Sequence, residues 1–156
     1  MQAVCNASPV ITLAKSGLIH VLDDLFERIV LTKAVVEEIL AGGKDDPGAI
    51  AISDKVWLEE VSLNPPASRF AVINLGAGEA ETIEWCLRHP DFIAILDDKA
   101  ARRTAESLGC RCAGTLRVIY EACHKQILPS FAEAVQSLES VGLYCDQKVI
   151  DRLLKS

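Results

Sequence analysis

The run Phe92-Ile-Ala-Ile-Leu96 constrains this chain most: five apolar residues without a polar break, closed by Asp97 and Asp98. A run that short and that apolar suits a strand buried on both faces, and such strands belong to parallel sheets covered by helices. Gln2 to Cys5, ending at Asn6, reads as a first strand. Arg28 to Leu31 reads as a second, Val56 to Leu63 alternates well enough for another, and Arg111 to Ala113 makes a short last one. Helical segments fall between them. Ser8 before Pro9 predicts a helix start, carrying Val10, Ile11, Leu13 and Ala14 until Gly17, and a second short helix continues to Phe26. Thr32 is placed to cap Lys33 to Leu40, which Gly42 and Gly43 stop. Further helices are expected at Ala49 to Ile52, Glu79 to Arg88, Lys99 to Leu108, Thr115 to Lys125, Phe131 to Ser140 and Gln147 to Leu154. Strands alternating with helices require right-handed crossovers, and so an α/β fold with a parallel sheet.

The chain of 156 residues is sized for one domain over 1–156, with no repeat and no linker to divide it. Its apolar C-terminal helices, about 131–156, either finish the core or form a homodimer seam. With 22 acidic against 16 basic residues, the net charge of −6 gives no general attraction to nucleic acid. Binding of that kind needs a local basic patch or bound cations. Six cysteines lie mostly among apolar neighbours, and no charged and apolar leader follows Met1. The reading is a cytoplasmic chain with reduced thiols. Cys110 and Cys112 form a lone CxC without a second pair, a poor zinc site. No apolar run reaches the length of about 18 residues that a membrane helix needs.

In open parallel sheets ligands bind beyond the carboxyl ends of the strands. Asn6, Asp97 and Asp98 fall there by position. Helix capping accounts for one Asp at a helix start, worth roughly 0.3–1 kcal/mol through the dipole, but not for two adjacent carboxylates. On a helical wheel stepping about 100° per residue, Glu79 lies beside the apolar stripe of Ala80, Ile83, Cys86 and Leu87, whereas Glu81 lies on the far side and should be solvated. Glu37 and Glu38 flank their stripe equally, so the wheel leaves both open and a solvated face explains either. Gly76-Ala-Gly-Glu-Ala-Glu, after the apolar run 70–75, lacks the third glycine of a dinucleotide loop and would repel phosphate, so no cofactor-binding residue is assigned. No GxSxG, Walker loop or HExxH occurs. Converging carboxylates suit hard divalent ions, Mg2+ or Mn2+, and two such ions about 4 Å apart promote phosphodiester hydrolysis. Lys99, Arg102 and Arg103 follow the acidic pair and are candidate phosphate contacts, although solvated helix positions explain them equally well.

These residues, in this order, resemble the PIN domain nucleases, most closely a prokaryotic PIN-like subgroup. The matching segments are Cys5-Asn-Ala-Ser-Pro-Val-Ile-Thr-Leu-Ala-Lys, Ala34-Val-Val-Glu-Glu-Ile-Leu-Ala-Gly, Leu75-Gly-Ala-Gly-Glu-Ala-Glu-Thr-Ile and Leu96-Asp-Asp-Lys-Ala-Ala-Arg, with Gly114-Thr-Leu and the closing helices. The resemblance implies a three-layer α/β/α sandwich around a mostly parallel sheet and an Mg2+- or Mn2+-dependent endoribonuclease, a hydrolase of single-stranded RNA. Many small relatives are toxins of toxin–antitoxin pairs, which implies an antitoxin protein as partner. The resemblance matches Glu38, Glu79 and Asp98 to the acidic set, with Glu81 and Asp97 as alternatives, so Glu38, Glu79, Asp97 and Asp98 are expected to be catalytic. It also implies Asn6, Glu38, Glu79 and Asp98 as metal ligands. At Asn6 the family normally has aspartate, so an amide replaces one charge. The competing expectation is a catalytically degenerate module that binds RNA or a protein.

Overall fold

The computed structural model describes residues 1–67 and 75–156. Its elements are β1 (Gln2–Cys5), α1 (Ala7–Lys15), α2 (His20–Leu25), β2 (Arg28–Thr32), α3 (Lys33–Leu40), α4 (Pro47–Asp54) and β3 (Leu58–Val61). Then come α5 (Ala77–Arg88), β4 (Phe92–Ile95), α6 (Lys99–Ser107), β5 (Cys112–Ala113), α7 (Thr115–His124), α8 (Phe131–Ser140) and α9 (Gln147–Leu154). Among the described residues the strands form one five-stranded sheet in the order β3-β2-β1-β4-β5. Every pairing is parallel, as the unbroken apolar run of β4 requires.

Alternation along the strands splits the core into two layers. Ala3, Cys5, Ile29, Leu31 and Ile95 join the layer that includes α1, α2 and α7. Val4, Val30, Phe92, Ala94 and Leu96 face the other way, toward Ile83 on α5 and Ala101 and Ala105 on α6. The result is the three-layer α/β/α arrangement. Ile95 and Leu96 are both fully buried, one in each layer. At about 1.5–3 kcal/mol for each such side chain, they anchor the carboxyl end of β4 from both sides. The C-terminal helices pack on α7 and bury Leu138, Ile150 and Leu153.

Three local expectations change. Asn6, not Ser8, occupies the N-cap of α1, because the chain leaves β1 in extended conformation at Asn6 and turns helical at once. The helix expected at Ala49 begins at Pro47, where Asp46 accepts a 2.9 Å hydrogen bond from the Gly48 N–H. The strand expected from Val56 is shorter, Leu58–Val61, because residues 56 and 57 form a turn that leaves Val56 96% exposed. The apolar run at 70–75 lies outside the described residues except for Leu75. Among the described residues, no helix is long and apolar enough to cross a membrane.

Candidate functional site

Sheet order places the site. From β1 the sheet continues through β2 on one side and β4 on the other, so the chain's winding reverses between β1 and β4. A crevice opens at the carboxyl ends of strands flanking such a switch point. Asn6 follows β1 there, its N–H donating to Ile95 O at 3.0 Å, and Asp97 and Asp98 follow β4.

Asn6 is 6% exposed, and among the described residues its Oδ1 has no hydrogen-bond partner. Asparagine at an N-cap ordinarily accepts from the helix, yet this one makes no such bond. Capping therefore does not explain it. Leaving a buried amide oxygen unpaired costs about 1–3 kcal/mol.

What faces that oxygen is set by α5, which packs on α3 and on the ends of β1 and β2. A Cβ placed on Gly78 would lie 2.8 Å from Oε2 of Glu38, 3.2 Å from Oδ1 of Asn6 and 3.3 Å from Val35 Cγ2. Glycine thus lets the first turn of α5 approach both oxygens. Of the two α3 glutamates, Glu38 is the one that reaches this point. The next residue of α5 is Glu79, whose Oε2 accepts from the Gly76 N–H at 3.3 Å.

Burial raises the Glu79 carboxyl above its ordinary value; the Gly76 N–H opposes this, while the charges of Asp98 and Glu38 add to it. Asp98 and Glu38 thus lie within reach of the Glu79 carboxyl's charge. With its pKa raised on folding, ionised Glu79 costs stability above the folded value. That cost fades as the pH falls through the folded value toward the unfolded one. Glu79→Gln is accordingly expected to raise the Tm at about pH 7 and to change it little at about pH 4. Thermal melts at both pH values check this; an equal change at both would show that charge is not the cause.

Asp98 has two duties. It is the N-cap of α6, with Oδ1 accepting from the Ala101 N–H at 2.8 Å, and it lies near enough to Glu79 to affect its ionisation. Asp97 turns away. Its Oδ1 accepts from the Thr115 N–H at 2.7 Å and its Oδ2 from the Thr115 hydroxyl at 2.6 Å, which fastens β4 to the start of α7. Arg102 tightens the same corner, with Nη1 donating to the carbonyls of Leu96 and Asp97, each at 2.8 Å. Lys99 and Arg103 are exposed.

Glu81 departs from the wheel's expectation. It is partly buried, and its Oε1 accepts from the Ala34 N–H at 2.9 Å, supplying the start of α3 with an acceptor. The wheel treats α5 as if it had one partner, but α3 covers a second side. Thr32 departs from its expected role as the cap of α3. As a threonine just before a helix it reads as a cap, yet its side chain makes no cap bond, and among the described residues its buried Oγ1 has no partner. Two residues beyond the Val4–Val30 register pair, Asn6 and Thr32 stand at the ends of neighbouring strands. Two unpaired buried oxygens thus flank the same crevice.

The donors, Asn6 Oδ1 and the carboxylates of Glu38, Glu79 and Asp98, are all oxygen. They fit a hard divalent ion and not zinc. Among the described residues, no three His, Cys, Asp or Glu side chains draw close enough to enclose an ion by themselves. Partial enclosure still suits Mg2+, which keeps several waters and takes one or two carboxylates plus substrate phosphate.

Comparison with known proteins gives the same fold. The family model described as a PIN domain, DUF3368, matches residues 2–156. A PilT N-terminus domain protein from the hyperthermophilic archaeon Sulfolobus solfataricus P2 is similar in structure, with a TM-score of 0.54 and 20% identity over 76% of this chain and 90% of that one. At that identity the likeness concerns the fold alone. No curated protein matches the sequence.

Proposed function

We propose, from the premise that this chain belongs to the PIN domain family, that it is a metal-dependent endoribonuclease acting on single-stranded RNA. PIN domains are generally nucleases and generally use divalent metals. The observation that carries the reading is the buried, unpaired Asn6 oxygen set against Glu38 across Gly78, with Glu79 and Asp98 beside them. Asp98 and Glu79 also serve the starts of α6 and α5, but among the described residues no cap bond or salt bridge accounts for Asn6 and Glu38 meeting at Gly78.

In this reading Asn6, Glu38 and Asp98 would hold Mg2+ or Mn2+, which supplies positive charge for the phosphate and for the oxygen that leaves. Asn6 orients through its carbonyl oxygen. Asp98 is held in place by its bond from the Ala101 N–H, and Glu38 reaches in from α3 beside Gly78. Glu79, kept more basic than an ordinary carboxylate, is suited to take a proton from the attacking water at a carboxylate oxygen. Asp97 acts through the backbone, fixing where β4 ends.

The test is cleavage of a single-stranded RNA by the purified protein with Mn2+, against Asp98→Asn. Asparagine caps a helix as well as aspartate does, so that variant keeps the start of α6 and removes only a charge. Its rate is expected to fall by at least about 100-fold, since even outer partners of metal sites are worth 10–100-fold. Equal rates in both proteins would sink the assignment.

A second reading is favoured by Asn6 itself. An amide has what a carboxylate lacks, an N–H group able to donate to a neighbouring carboxylate such as Glu38. A site tied in that way would bind RNA or a protein partner without cutting. No cleavage under any divalent ion, together with retained RNA binding, supports it.

A further inference from the structure

We propose that the groove between α6 and α9, opening at the acidic edge, holds one strand of RNA, with Tyr144 as a stacking platform for an unpaired base. The proposal rests on the reading of RNA as substrate and adds where the strand lies. The groove has a volume of about 800 Å³, and its lining includes Asp97 and Gly114, which follow the carboxyl ends of β4 and β5.

Two observations meet there. Tyr144, on the connection between α8 and α9, is 85% exposed and stands in the groove wall. Lys99, Arg102 and Arg152 line the same groove, and among the described residues none of them has a carboxylate partner. A fourth cation, Arg117, is paired with Glu121 at 2.7 Å. Three carboxylates, Asp97, Glu106 and Asp146, line the groove as well; Asp97 accepts from Thr115 and Asp146 from the Lys148 N–H, bonds that leave their charge in place. Arg102 is held on the carbonyls of Leu96 and Asp97, so Lys99 and Arg152 are the cations placed to meet phosphate beside the exposed aromatic ring. Cations set along a groove beside an aromatic face suit a single strand, whose phosphates track the charges while a base stacks. A duplex keeps its bases stacked inside and has no use for Tyr144.

Fluorescence anisotropy tests this with a labelled oligouridylate of roughly a dozen nucleotides, in EDTA so that nothing is cut. The full chain is expected to bind, with affinity falling as salt rises by about 0.7 log units per log unit of salt for each phosphate contacted. Tyr144→Ala should weaken binding about ten-fold without changing that slope, and Tyr144→Trp should restore it. Arg152→Ala should weaken binding and reduce the slope by about 0.7. Tyr144 and Arg152 are exposed, so neither variant threatens the fold. Unaltered affinity in both Ala variants, absence of binding at low salt, or equal affinity for a duplex overturns the proposal. Tyr144-dependent binding by a protein that cuts no RNA in Mn2+ leaves the groove standing and sinks the nuclease reading. Cleavage that is indifferent to Tyr144 does the reverse.

Discussion

Asn6→Asp is expected to tighten Mn2+ binding by about 100-fold and to raise Mn2+-dependent RNA cleavage along with it. The position is buried, so an added charge acts through little water. A unit charge about 4 Å from another interacts by about 4 kcal/mol at an effective dielectric of 20. Desolvating the new carboxylate takes back part of this, and about 3 kcal/mol corresponds to about 100-fold. Without the ion the same change should hurt. A fourth carboxylate would join Glu38, Glu79 and Asp98, so the Tm of the metal-free variant should fall and Mn2+ should recover it. Calorimetric titration with Mn2+ and melts with and without the ion give both numbers. A variant that binds Mn2+ no better than the natural chain would mean that Asn6 does not face the ion.

Gly78→Ala should separate activity from stability. The added Cβ would stand 2.8 Å from Oε2 of Glu38, too close to remain. Glu38 is exposed and flexible, so its carboxylate swings away at small energetic cost. Asn6 Oδ1 and Val35 Cγ2, at 3.2 and 3.3 Å, need to give only a few tenths of an ångström. Alanine is also the better helix former, by about 0.5–1 kcal/mol. The expected result is stability within about 1 kcal/mol of the natural chain and cleavage lowered at least about 100-fold through loss of a carboxylate. Urea unfolding and the RNA assay measure the two sides. A large loss of stability with activity kept would show that Gly78 serves packing alone.

The sequence made the layers of this fold legible because its strands are short and its helices keep one period. Phe92–Leu96 had only one economical place to go, the middle of a parallel sheet, and its final aspartates followed from that. Edges were harder. Ser8 looked like a cap, yet the turn comes two residues earlier, because where a buried strand stops is decided by its neighbours. Residues with two helices against them, such as Glu81 between α5 and α3, defeat a wheel drawn for one face. Glu37 and Glu38 are balanced on α3 until α5 is in place, and then only Glu38 meets Gly78. Thr32 shows the remaining gap: a hydroxyl's missing partner is a property of the packed molecule, and no spacing records it.

The clasp of Asp97 on Thr115, with Arg102 on the carbonyls beside it, has a consequence for how the crevice relates to its occupant. The backbone that carries Asp98 is fastened by bonds that need no ion, and the core under it is closed on both sides. The end of β4 that carries Asp98 therefore keeps its place without an ion, unlike a zinc finger, which collapses when its metal is taken away. If the crevice takes an ion as proposed, a chelator would remove it and leave the molecule folded. On that reading scarcity of the ion would act as a brake on the chemistry, released when the ion returns, with no refolding between the two states.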